Sequence, residues 1–174
     1  MPGGSKLRTL LTLTYIYMSY NESQDCLGQA EAALSHGQYQ QAAGQYEAVV
    51  TGLGPSAGPA RPLTPQASLL VRDYATASRG QSAALARLGE MEAAESTLLT
   101  ALSRLRGCIS NLGTPAAGRA PLLTEYKLCF YALADCYFAG QRTEKLTAYV
   151  RRHAPEIQRW AQDLHLVRAT PASN

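Results

Sequence analysis

Gly37-Gln38-Tyr39-Gln40-Gln41-Ala42-Ala43-Gly44-Gln45-Tyr46 is the stretch on which the fold turns. Just before it, Cys26, Leu27, Ala30, Ala33 and Leu34 recur at the three- and four-residue spacing of one helical face. Just after it, Tyr39, Ala42, Ala43, Tyr46, Val49 and Val50 do the same. Gly37 lies between the two stripes, and a residue without Cβ ends a helix at little steric cost because it enters the left-handed region freely. The stretch therefore predicts two helices, about 23–36 and 39–53, folded back as a hairpin. Ala42 and Ala43 let the backbones approach closely, and Tyr46 fills the space where they diverge.

The pattern returns at Gly89 and Gly140, about 50 residues on each time. A second hairpin is predicted over 65–112. It starts at Thr64-Pro65, a capping residue followed by proline at the first helical position, and it turns at Gly89. Its second helix carries Ala94, Leu98, Ala101, Leu102 and Leu105 on one side. A third hairpin is predicted over 122–153 with its turn at Gly140. Ala154-Pro155 then opens a capping helix over 155–168, with Ile157, Trp160, Ala161, Leu164 and Val167 in one stripe, and a frayed tail follows.

Two proline- and glycine-rich stretches, 54–65 and 113–121, read as loops between hairpins. They are alike in composition. The likeness extends from Leu69-Leu70-Val71-Arg72-Asp73-Tyr74-Ala75 to Tyr126-Lys127-Leu128-Cys129-Phe130-Tyr131-Ala132, which suggests a duplicated unit. Upstream, Leu7, Leu10, Leu11, Thr14, Tyr17 and Met18 predict a further helix over 5–20. Lys6 and Arg8 before that run are similar to a secretory leader, but threonines interrupt it and no small-residue cleavage site follows. It is also too short to span a membrane.

Composition agrees with an all-α chain. Of 174 residues 46% are apolar, largely Ala and Leu, whereas Val and Ile are sparse. A net charge of +3 is mild for a nucleic-acid module, and only 145–159, with Arg151, Arg152 and Arg159, is locally basic. Cys26, Cys108, Cys129 and Cys136 form no Cys-x-x-Cys pair. Cys129 and Cys136 share a helical face roughly 10 Å apart along the axis, too far for a disulfide in one straight helix. Reduced, buried thiols in an intracellular setting, cytoplasmic or nuclear, are the expectation.

These residues resemble the tetratricopeptide repeat. Ala30, Gly37, Tyr39, Ala42 and Tyr46 carry the likeness in the first hairpin; Gly89, Met91, Ala94, Leu98 and Ala101 carry it in the second. Ala134, Tyr137 and Gly140 carry it in the third, with Lys145 where the family has a small residue. The resemblance covers residues 23–168 and departs from the family in its long loops. It implies a TPR-like α-solenoid, a right-handed stack of about three antiparallel hairpins over 1–170. It also implies a non-catalytic scaffold or adaptor that holds a peptide or helix of a partner protein in a concave groove. The chaperone-tail clamp of one subgroup needs Lys and Asn where this chain has Leu27 and Glu31, so that ligand is not expected. The long loops are similar to the irregular repeats of larger assemblies: kinase-flanking helical regions, separases and cohesin loaders. A small secretion chaperone is similar in size.

No nucleophile–base set, phosphate loop or metal-ligand spacing emerges, and His36, His153 and His165 fall in different elements. The expectation is a protein without enzymatic activity, cofactor or metal. Arg72, Arg79 and Arg87 recur on one side of a helix. With Lys127 and Tyr137 they are the candidate lining of a groove for an acidic or aromatic peptide. On that reading Arg79→Glu weakens binding and leaves thermal stability unchanged. Glu90, Glu92 and Glu95 are expected on a solvated helical face, and Tyr15, Tyr17 and Tyr20 are a second candidate contact patch. The rival function is a basic helical-repeat module for nucleic acid, whose affinity would fall steeply with salt.

Overall fold

The computed structural model of the chain describes residues 18–55 and 62–169, with side chains as far as 164. The expected helix over 5–20 falls almost wholly outside the described residues, as do Tyr15, Tyr17, the side chain of His165 and the tail beyond 169. Among the described residues there are six helices and no strands: α1 Tyr20–Ser35, α2 Tyr39–Leu53, α3 Pro65–Arg87, α4 Met91–Ser110, α5 Ala116–Ala139 and α6 Thr143–Ala169. The protein is all-α.

Local chemistry sets the starts of α1 and α3. The Ser19 hydroxyl accepts from the Glu22 amide, and the Glu22 carboxylate accepts from the Ser19 amide at 2.8 Å, a reciprocal cap that moves the start of α1 upstream of the predicted Ser23. Thr64 accepts from the Ala67 amide at 3.1 Å, and Pro65 occupies the first helical position, as the sequence predicts.

The three hairpin turns are built alike. Gly37, Gly89 and Gln141 each take the left-handed conformation, with φ of 74°, 83° and 55°. In each turn that residue's amide and the next one's bond back to the preceding helix: Gly37 to Leu34 and Gln38 to Ala33, Gly89 to Ala86 and Glu90 to Leu85, Gln141 to Phe138 and Arg142 to Tyr137. This paired bonding is a Schellman termination. In the third turn Gly140 has φ −83°, so the expected glycine sits one residue early and Gln141 bears the strained position. The equivalence Gly37, Gly89, Gln141 makes Leu146, not Lys145, the counterpart of Ala42 and Ala94. It also pairs Tyr74 with Tyr126, both fully buried, whereas the sequence comparison had aligned Tyr74 with the exposed Tyr131.

Two further boundaries differ from the sequence reading. The second proline loop is shorter than predicted, because α5 begins at Ala116 and carries Pro121 within its early turns. There the missing N–H costs a single backbone bond. The third hairpin and the capping helix are not separate either, since α6 runs without interruption from Thr143 through Pro155 to Ala169. Arg151, whose carbonyl loses its partner to Pro155, is exposed, so water can take that acceptor. The stripe predicted for the cap still packs: Trp160 and Leu164 are buried, and Trp160 meets the Tyr126 ring edge-on at 5.6 Å.

Each helix packs on the next, and α3 also lies against both α1 and α5. The core runs through these contacts in one piece, from Leu27 and Tyr46 through Tyr74, Leu98 and Leu102 to Tyr126, Leu133 and Trp160. The closest approach is at Gly80 of α3, which receives the Tyr46 ring of α2 directly on its backbone. The loops also meet, since the Leu63 amide donates to the buried Thr114 hydroxyl at 3.0 Å.

Candidate functional site

The odd-numbered helices are joined by buried carboxylates. Asp73 of α3 accepts from the Ser23 hydroxyl at 2.7 Å and from the Gln24 amide group at 2.8 Å, both on α1. On α5, Glu125 accepts from Arg79 at 2.6 Å and lies 3.7 Å from the Arg72 guanidinium, both on α3. A buried charge without partners is costly, and here each acid is matched by donors from the preceding odd helix. A buried acid thus joins each pair of successive odd helices, answered by neutral donors in the first case and by arginines in the second.

This arrangement redistributes the residues expected to line a groove. Arg79 is half-buried and spent on Glu125, so Arg79→Glu would set two carboxylates together and would not leave stability unchanged. Arg72 is more exposed and shares the same acid. Arg87 and Lys127 are exposed, one in the last turn of α3 and the other on α5. Tyr137 is only 4% exposed and does not line a face of α5 open to solvent. Its hydroxyl donates to Glu95 at 3.1 Å, and burial, followed by that carboxylate, pushes its pKa up to about 12.

The open face of α5 is carried instead by Leu128, Tyr131 and Phe138, the last two 60% and 61% exposed. At 100° per residue they fall, with Thr124, Lys127 and Asp135, within about a third of the helix circumference. Sequence reasoning missed them, although the signal was present. Tyr126, Cys129, Leu133 and Tyr137 already complete a core stripe at spacings of three and four, so three further large apolar residues on α5 lie on a second face.

Between α4 and α6 lies a groove of about 470 Å³, reached by Tyr137 from α5. Glu95, which lines the neighbouring depression, is not the solvated residue its sequence context predicts. It accepts from Tyr137, from Arg142 at 2.8 Å and from Lys145 at 3.0 Å, which ties α4 to α5 and to the start of α6. Arg106 of α4 pairs with Glu156 of α6 at 2.7 Å. In the groove Tyr149 stacks on Phe130 and contacts His153 at 4.4 Å between ring centroids. His153 titrates below its ordinary value through burial and the nearby charges of Arg106 and Arg152.

Among the described residues no group of three His, Cys, Asp or Glu side chains is placed to hold a metal, and no helix is long and apolar enough to cross a membrane. No disulfide joins any of the four cysteines, and burial pushes the Cys108 and Cys129 thiols up to about 11. No family model, curated protein or solved structure matches the chain.

Proposed function

We propose that the protein is a tetratricopeptide-repeat-like, right-handed stack of three helical hairpins that acts inside the cell as a non-catalytic scaffold. On this reading it binds a peptide or helix of a partner protein on the face formed by α1, α3 and α5. The observation that carries the proposal is the exposed row Leu128, Tyr131 and Phe138 on α5. Large aromatic side chains left in water on a helix whose other side is fully packed are the kind of anchor that dominates protein contacts. Supporting it are the repeated turn geometry at Gly37, Gly89 and Gln141 and the packing of α3 on both α1 and α5. On this reading the odd helices, with α3 against both α1 and α5, form the floor of a common surface. Lys127 and Asp135 flank the apolar row and would fix the orientation of a docked segment.

Tyr131→Ser and Phe138→Ser together test the reading, because both side chains are exposed and their loss leaves the core intact. Proteins captured from a lysate on the wild-type chain and lost on the double variant, at equal melting temperature, support this face as the docking site. Identical sets on both chains would remove it.

A further inference from the structure

We propose that the groove between α4 and α6 is a second binding site, one that takes a short acidic peptide segment carrying an apolar anchor residue. Its wall is apolar at Leu99, Leu102 and Tyr149, and its rim carries Arg106, Lys145 and Arg152, with the Ser103 hydroxyl as a further donor. A neighbouring depression shares Leu99, Ser103 and Lys145 and adds Arg104 and Arg142. Arg106, Arg142, Lys145 and Arg152 thus face this side of α4 and α6, while Arg104 turns its guanidinium to the Gly54 carbonyl and the Tyr74 ring. The acids among them are Glu92, Glu95 and Glu156, and the last two are engaged internally. Glu95 answers both Arg142 and Lys145, which leaves that knot with a surplus positive charge. Arg152 is exposed and forms no ion pair with a described residue. The lowered titration of His153, caused by burial and then by Arg106 and Arg152, is what a positive, partly desolvated groove produces.

The shape of this charge favours a peptide over a nucleic-acid strand. Carboxylates at Glu95 and Glu156 interrupt the cations, so a phosphate backbone laid along the groove would meet repulsion at both. A strand binder instead relies on a continuous positive track and stacking platforms. A peptide needs one apolar side chain against the half-buried Leu99 and Tyr149 and one or two carboxylates within reach of Arg152 and Lys145. The site lies on the α4 and α6 side of the molecule, apart from the Tyr131 and Phe138 row, so either proposal can fail without the other.

Fluorescence anisotropy on the full chain tests it, with a fluorescein-labelled hexapeptide Glu-Asp-Leu-Glu-Asp-Leu as probe. The expected result is saturable binding below about 1 mM. It should weaken about tenfold on Arg152→Glu, be retained on Arg152→Lys, and be unchanged on Tyr131→Ser. A Lys-Lys-Leu-Lys-Lys-Leu peptide should not compete. The proposal is overturned by no saturation at that concentration, by equal affinity for wild type and Arg152→Glu at equal melting temperature, or by loss of binding on Tyr131→Ser. Tighter binding of a twelve-residue oligothymidylate than of the acidic peptide overturns it in favour of nucleic acid.

Discussion

Gly80→Ala probes the contact that seats the first hairpin on the second. A Cβ at position 80 would lie 2.3 Å from Cζ, 2.5 Å from Cε1 and 2.6 Å from Cε2 of Tyr46, well inside van der Waals contact. The ring cannot simply swing aside, since Tyr46 is buried between α2 and α3. Forcing one methyl into a packed core costs about 1–3 kcal/mol. Replacing glycine by alanine within a helix returns about 1 kcal/mol through backbone propensity. Gly28 and Gly44, also helical, have open space where a Cβ would go, so Gly28→Ala and Gly44→Ala receive the propensity gain alone. Gly80→Ala should therefore fall about 1–3 kcal/mol below those controls in urea denaturation, and about 2–4 °C in melting temperature for each kcal/mol. Tyr46→Leu should abolish most of that difference, and the double-mutant cycle Tyr46→Leu with Gly80→Ala measures the coupling directly. If Gly80→Ala stabilises the chain as much as Gly28→Ala does, the α2–α3 packing described above is wrong.

At the third turn, Gln141→Gly should raise stability by about 1 kcal/mol, because Gln141 holds a left-handed φ that glycine adopts freely; Gly37→Ala and Gly89→Ala should lower it by a similar amount. Chemical denaturation of the three variants decides this, and a neutral Gln141→Gly would contradict the turn geometry. Glu95→Gln should destabilise by about 1–3 kcal/mol, since Arg142 and Lys145 lose their common carboxylate, and hydrogen exchange should rise first in the opening turns of α6. Cys108 and Cys129 give a pH signature. Their folded pKa values, about 11, lie above the unfolded value of 9.0, so their contribution is complete below pH 9 and is lost as pH rises toward 11, at up to about 1.4 kcal/mol per unit for each thiol. Urea midpoints measured across that window should fall less steeply in the Cys108→Ala, Cys129→Ala double variant; parallel curves would refute the assignment.

Residue order alone determined the all-helical class, the first two hairpins and two of the three turns, because those depend on neighbours a few positions away. Thr64-Pro65 caps α3 wherever that helix ends up, and Gly37 and Gly89 meet the left-handed position locally. The same local logic placed the third turn at Gly140, one residue early. Gln141 is a poor choice for that conformation on propensity, yet it holds φ 55° in the observed turn. Pro121 and Pro155 are likewise strong breakers by local rule, yet both are carried within helices, where each costs one backbone bond and the surrounding packing holds the axis. The site was least legible. Arg79, Glu95 and Tyr137 all looked like surface residues, since a polar side chain's burial depends on whether a distant partner answers it. Glu125 lies 46 residues from Arg79 and Tyr137 lies 42 from Glu95, separations that no local pattern spans. Only the folded chain pairs them, and in doing so it leaves Tyr131, Phe138 and Arg152 facing solvent.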